Sequence, residues 1–357
     1  MSTHSSIEPI LEPALPIIDA HHHLWLRLPE SFAFLESDDS EYTKMSIPVY
    51  RRYARYLIDE FMEHINTGHN IRATVFVEAH AMLRATGPDE MKSVGEVEFA
   101  NGTAAMAASG LYGKTLMCAG IIGGVDLKRY GDKAKDIMIA QKQAGGSRYR
   151  GIRSIIMYDE DPHVLTHRFG NTPHVVMDKN FRAGFKHLEP LGLSFEAFML
   201  EPQLPDLVDL ARTFPGTQII VNHTGGPVGN GRHKGKLQER FPLWRDNIKA
   251  LGKCPNVSMK LGGLGMPTTG FPSSHRHPEA TSEELAKDWK PYIETCIEAF
   301  GADRCMFESN FPPDAGTASY PVYWNAFKRT VSGASASEKS ALFFDTAKRI
   351  YKLDVEK

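Results

Sequence analysis

Residues 16–25 read Pro16-Ile17-Ile18-Asp19-Ala20-His21-His22-His23-Leu24-Trp25. The apolar pair Ile17-Ile18 has the character of a short buried strand, and the residues after it lie where a strand opens into a loop. Side chains alternate faces on an extended backbone, so His21 and His23 share one side and His22 takes the other. Two imidazoles facing the same way can converge on one ion or one substrate oxygen. The plain alternative is a surface histidine cluster; a purification tag would not follow an apolar strand and a run of ordinary sequence.

The same strand-then-loop pattern recurs along the chain. Apolar runs at 71–77, 116–122, 149–156, 193–200, 217–221, 256–261 and 304–308 read as seven further strands. Helical periodicity falls between and after them, at 49–65, 89–109, 132–143, 173–191, 204–214, 244–251, 282–300, 320–330 and 336–351. The aperiodic stretch 26–48 is expected to be a loop over the mouth of a site. Eight strand-helix units without a composition break predict an α/β chain forming one (β/α)8 barrel over 17–357. Residues 1–16, polar and proline-bearing, are expected to be a loosely held arm. A doubly wound open sheet would want a glycine-rich phosphate turn after its first strand, and none is present.

The chain has 357 residues, 42% hydrophobic and 24% charged, with a net charge of -2. With a pI near 6.7 it carries no global field that would draw in nucleic acid or an anionic membrane. A small-molecule substrate is expected instead. The four cysteines, Cys118, Cys254, Cys296 and Cys305, are far apart. That spacing fits neither a disulfide framework nor a cysteine zinc site. No secretory apolar region is visible near Ile10-Leu11, and no apolar run approaches the ~20 residues of a bilayer span. A cytoplasmic location is expected. The aromatic-rich stretch 26–56 would suit a cover for the site or a contact with a second copy of the chain, so a homo-oligomer is allowed.

In a barrel the chemistry lies at the C-terminal ends of the strands. His21 and His23 follow the first strand, His80 the second, and Arg153 stands in or just past the fourth. Glu196 lies in the fifth, His223 ends the sixth, and Asn310 and Asp314 follow the eighth. A lone strand histidine is more often a hydrogen-bonded core residue. Glu196 could equally be an interior charge paired with Arg153 or Lys260. Polar groups from six strands meeting on one rim favour a site.

Asp19-x-His21-x-His23, Asn222-His223-Thr224-Gly225-Gly226-Pro227 and Glu308-Ser309-Asn310-Phe311-Pro312 together resemble the amidohydrolase superfamily. The likeness is to its lactonase-like branch of sugar-acid lactonases, sulfomuconolactone hydrolase and pyrone dicarboxylate lactonases. It runs from Ile17 to Tyr351 and includes Gly151-Ile152-Arg153. The resemblance implies a distorted TIM barrel, here with an extra C-terminal helix, that hydrolyses a cyclic ester. In a sister branch, the implied reaction is decarboxylation of an aromatic or unsaturated acid. It further implies that His21, His23 and His223 surround the scissile group and ligate one divalent metal, zinc foremost, or act without one. Where relatives carry an acid in a Ser-Asp-x-Pro motif, this chain has Asn310, a neutral amide that cannot take a proton. Nor does 151–159 offer a match for the residue that bridges two metals in binuclear relatives, so at most one metal is expected.

The resulting expectation is a lactone hydrolase with His21, His23, His223, Asn310 and Asp314 as catalytic residues, Asp314 being the first carboxylate after the vacant acid position in sequence. His80, Arg153 and Glu196 are expected to bind an acidic substrate, the arginine fork matching a carboxylate. A metal-dependent decarboxylase and a binding protein that has lost its base are the competing readings.

Overall fold

The structure is a computed structural model that describes residues 8–165 and 172–357. Its centre is a sheet of eight parallel strands in chain order. They are β1 (Pro16–His22), β2 (Asn70–Val77), β3 (Leu116–Gly124) and β4 (Tyr149–Ile155), then β5 (Ser194–Phe198), β6 (Ile219–Val221), β7 (Val257–Leu261) and β8 (Cys305–Phe307). The ring closes past the ends of β1 and β8. There His22 bridges to Phe311, the His23 N–H donates to the Phe311 carbonyl at 2.9 Å, and Asn310 N–H donates to the His21 carbonyl at 2.9 Å. Closure therefore presses the histidine stretch against Asn310, and the expected TIM barrel is what forms.

Alternation along the strands sorts residues into two cores. Ile18 and Ala20, Ala73, Val75 and Val77, with Ile122, Ile220 and Met306, fill the barrel interior. The same cluster contains Phe344, Ala347, Tyr351, Leu353 and Val355, so the C-terminal segment plugs the bottom of the barrel. The larger cluster, including Ile17, Ile71, Phe76, Ile121, Ile219 and Val221, packs strands against the surrounding helices. The period of two fixes both faces, and a register shift beside Ile17/Ile18 resets it where Ile71 and Ala73, two residues apart, join different cores.

Several helices depart from the expected bounds. Residues 26–48 are not a loop. They contain helices Pro29–Glu36 and Glu41–Arg52, and the latter starts at Ser40, whose side chain accepts from Thr43 N–H. The expected helix at 49–65 is broken after Arg52. A two-stranded ribbon pairs Trp25–Leu26 with Arg55–Tyr56, and a new helix Ile58–Ile65 begins where Glu60 accepts from Leu57 N–H at 2.9 Å. The expected helix at 173–191 becomes Lys179–Phe185 and Leu188–Leu191, the first started by Asp178. The final helix holds a π turn at Ala341–Asp345.

Of the expected arm, residues 1–7 lie outside the described residues. The remainder is strapped down: Lys328 Nζ donates to the Leu11 and Glu12 carbonyls at 2.7 and 3.0 Å, and Asn325 donates to the Pro9 carbonyl at 2.9 Å. Among the described residues no helix is long and apolar enough to cross a membrane.

Candidate active site

A register shift between Asp19 and His22 breaks the alternation that puts Ile18 and Ala20 inside, and so resets which face the histidines take. His22 turns outward, its ring 4.3 Å from that of Phe61, and burial pushes its pKa down to about 3. His21 and His23 turn inward, and their Nε2 atoms lie 3.2 Å apart. His23 Nδ1 sits 2.8 Å from the Val77 carbonyl. A carbonyl only accepts, so Nδ1 carries the proton and the neutral ring keeps its lone pair on Nε2. Beneath the pair, Asp19 accepts from Ser309 N–H at 2.9 Å and from the Tyr320 hydroxyl at 3.0 Å, locking β1 to the end of β8. Burial raises the Asp19 carboxyl to about 6.

His223 arrives from the end of β6 in a left-handed backbone, φ +55°, and Thr224 after it shares that φ. Such conformations persist in non-glycine residues only where the surroundings impose them. Glu308 holds His223 in place: its Oε1 accepts the His223 backbone N–H at 3.0 Å and lies 2.8 Å from Nδ1. The other oxygen, Oε2, is 2.8 Å from His21 Nδ1, but this contact lacks hydrogen-bond alignment and Oε2 is buried without a hydrogen-bond partner.

The cations around this cluster are already paired. Lys260 is consumed by Glu196, its Nζ donating to both carboxylate oxygens at 2.7 and 2.9 Å while lying 3.3 Å from His21 Nδ1. Arg153 is consumed by Glu78, Nε to Oε1 at 2.7 Å. Among the described residues Glu308 has no such partner, and burial raises its pKa to about 8. Burial, joined by the Lys260 and Arg153 charges, holds His21 and His223 well below the usual imidazole range, and His23 likewise through burial and Arg153.

His21, His223 and Glu308 each offer one donor atom, all within 4.8 Å of one another. Two imidazoles and a carboxylate are a donor set that zinc accepts, and the orphaned Glu308 Oε2 is the buried acceptor a cation would satisfy. The residues therefore fit one divalent metal. Of the histidines expected to ligate it, His21 and His223 belong to this group, while His23 stands at the opposite nitrogen of His21.

A cavity opens over this cluster, lined among others by His23, His223, Arg153, His80 and Asn310, with Trp25, Tyr42 and Tyr50 from the mouth segment. Asn310 Nδ2 donates to Asp314 Oδ1 at 2.7 Å, which leaves its amide oxygen, an acceptor, for the cavity side. Asp314 itself does not line the cavity. Both of its oxygens are engaged, by Asn310 and by the Tyr323 hydroxyl and the Gly265 N–H, and burial raises it to about 7. Its position is that of a support for Asn310. Glu196 is also away from the cavity, fully buried against Lys260, the Tyr351 hydroxyl at 2.6 Å and Asn222 Nδ2 at 2.8 Å. Nor is the Arg153 fork free: Nε and Nη2 are taken by Glu78, leaving Nη1, 3.3 Å from His21 Nε2.

Glu78 was not singled out from the sequence, Lys260 was named only as an alternative partner of Glu196, which it is, and Glu308 stood in the quoted Glu-Ser-Asn-Phe-Pro stretch without a role. Their only signal is a charge at or near the end of an apolar strand, in TVFVE, SMKL and CMFE.

The amidohydrolase family profile matches residues 18–353. The uncharacterised protein y4mH of Sinorhizobium fredii is 32% identical over 344 residues, covering 95% of this chain and 99% of its own. An L-fucono-1,5-lactonase of Burkholderia multivorans is 26% identical over 213 residues, 58% of this chain and 64% of its own. Among solved structures, an amidohydrolase from Burkholderia multivorans with bound zinc is similar with a TM-score of 0.66 at 23% identity, over 94% of this chain and 99% of that one, a likeness of fold. A profile spanning nearly the whole barrel and a full-length relative agree: the chain belongs to the amidohydrolase family.

Proposed function

We propose that the protein hydrolyses a lactone carrying an anionic substituent. The observation that carries this reading is the Glu308 carboxyl group, held by His223 through Oε1 and, among the described residues, with Oε2 unpartnered beside His21, beneath an aromatic-walled cavity. A cation-ready centre under a cavity suits attack on a carbonyl whose oxygen gains charge in the transition state. The lactonase among the sequence relatives supports the same reaction class.

The ring of the substrate lies against Trp25, Tyr42 and Tyr50, with its scissile carbonyl turned toward His21 and His223. A zinc held by His21, His223 and Glu308 would supply positive charge against that carbonyl oxygen. The Asn310 amide oxygen and the His23 Nε2 lone pair accept from the attacking water and orient it. Its proton passes to His23 Nε2 and returns to the leaving alcohol oxygen. His80 and the open Nη1 of Arg153 bind the anionic substituent.

The test is a panel of carboxylated and neutral lactones given to the purified protein, with products read by mass. The expected result is gain of one water, one proton released per ring opened, and preference for the acids. Carbon dioxide release from an unsaturated acid, with every lactone left intact, would overturn the reading.

A further inference from the structure

Glu78 directly follows β2, and its carboxylate is buried and doubly engaged. Oε1 accepts from Arg153 Nε at 2.7 Å, while Oε2 accepts from the His80 backbone N–H at 3.2 Å and lies 2.9 Å from His80 Nδ1. The Glu78 carbonyl also accepts from Arg153 Nη2. His80 is thereby bent into a left-handed conformation, φ +54°, with a side chain 54% exposed at the cavity. Burial by itself would raise the Glu78 carboxyl, but Arg153 and His80 overcome it and hold it well below the usual range. Gly124, at the end of β3, leaves the room this carboxylate occupies, since a Cβ there would come within 3.2 Å of Glu78 Cγ.

The neighbouring backbone is pinned separately. Glu96, from the helix Val94–Ala108, accepts from Ala79 N–H at 2.7 Å and Ala81 N–H at 3.1 Å. Glu96 thus holds the turn, whereas Glu78 holds the two side chains. A guanidinium and an imidazole gripped by one carboxylate cannot swing independently, and their remaining N–H groups have one relative position.

We propose that Glu78 is a positioning residue for anion recognition, fixing Arg153 and His80 as a paired donor that takes the substrate's carboxylate. Arg153 and His80 both line the cavity, and a cationic donor pair held at its wall favours an anion over a neutral group. This deepens the lactone reading, on which it rests for the substrate's identity but not for the site's preference.

The experiment uses cyclopentanecarboxylate and its amide as probes that cannot be hydrolysed, measured by calorimetry on the full chain. Wild type is expected to bind the carboxylate at least about tenfold more tightly than the amide, the effect of a charge-assisted hydrogen bond. Glu78→Gln should erase that preference, whereas Glu96→Gln, which can still accept from Ala79 and Ala81, should keep it. His80→Leu, at an exposed site, should lose part of it and serves if Glu78→Gln does not fold. A wild type that fails to distinguish the probes, a Glu78→Gln protein that still does, or an equal loss in Glu96→Gln would overturn the proposal. A protein that prefers the carboxylate yet opens no lactone would sink the lactone reading alone.

Discussion

Among single residues, the site turns on one carboxylate. Glu308 contacts two histidines and lacks a cation of its own, since Lys260 and Arg153 are spent on Glu196 and Glu78. Glu308→Gln keeps the shape and removes the charge. Bound metal, read by elemental analysis, is expected to fall to background, and turnover to drop by about 100-fold or more. Retained metal with normal turnover would remove Glu308 from the centre. Asp314 makes a different prediction. Its pKa is raised from 3.8 to about 7 in the fold, so the folded state holds the proton more tightly than the unfolded chain. That contribution to stability is complete below the unfolded value and is lost as pH rises through the folded one. Relative to Asp314→Asn, wild type should therefore lose stability between about pH 4 and about pH 7 in urea titrations. A pH-independent difference would contradict the buried, protonated carboxyl. His21, His23, His223 and Arg153 were legible because they stand in motifs whose spacing has meaning. Glu78 and Glu308 were not, because a single charge in an apolar strand says nothing about which distant strand supplies its partner; Lys260 was legible only as one of two alternative partners of Glu196.

Among the elements, strand ends and the loops behind them set the precision of the site. Gly263, φ +63°, packs so closely on β6's exit that a Cβ would lie 2.4 Å from His223 Cβ and Cγ. Gly263→Ala must push the imidazole aside or distort its own backbone. Turnover is expected to fall by about 100-fold or more, because small misplacement of a reacting group is expensive in rate. An Ala variant with unchanged kinetics would show that His223 tolerates displacement. The eight strands were readable from apolar runs bounded by polar turns. The mouth helices were not: Pro48 and the polar surface of residues 41–52 obscure the period, and the cap at Ser40 shows itself only once Thr43 N–H is seen to reach it.

Across the molecule as a whole, both ends of the chain are used to shut the barrel. The C-terminal segment plugs its bottom through Phe344, Tyr351 and Leu353, while residues 8–15 are tied to the helix Tyr320–Thr330. Lys328 is central to that tie, meeting the Leu11 and Glu12 carbonyls and His69 Nδ1, and burial lowers its pKa to about 8. Lys328→Met should lower unfolding stability by about 1–3 kcal/mol, from lost charged hydrogen bonds, and leave turnover intact. An unaltered denaturation midpoint would show the tie to be idle. The arm's anchoring escaped the sequence because backbone carbonyls, not side chains, receive Lys328.

The sharpest measurement is a single turnover of a carboxylated lactone in water enriched in heavy oxygen. The account predicts one labelled oxygen in the newly formed carboxylate, an unlabelled hydroxyl, and no gas released. Label in the hydroxyl, or loss of carbon dioxide in place of label uptake, would contradict water attack on a ring carbonyl at the His21–His223–Glu308 centre.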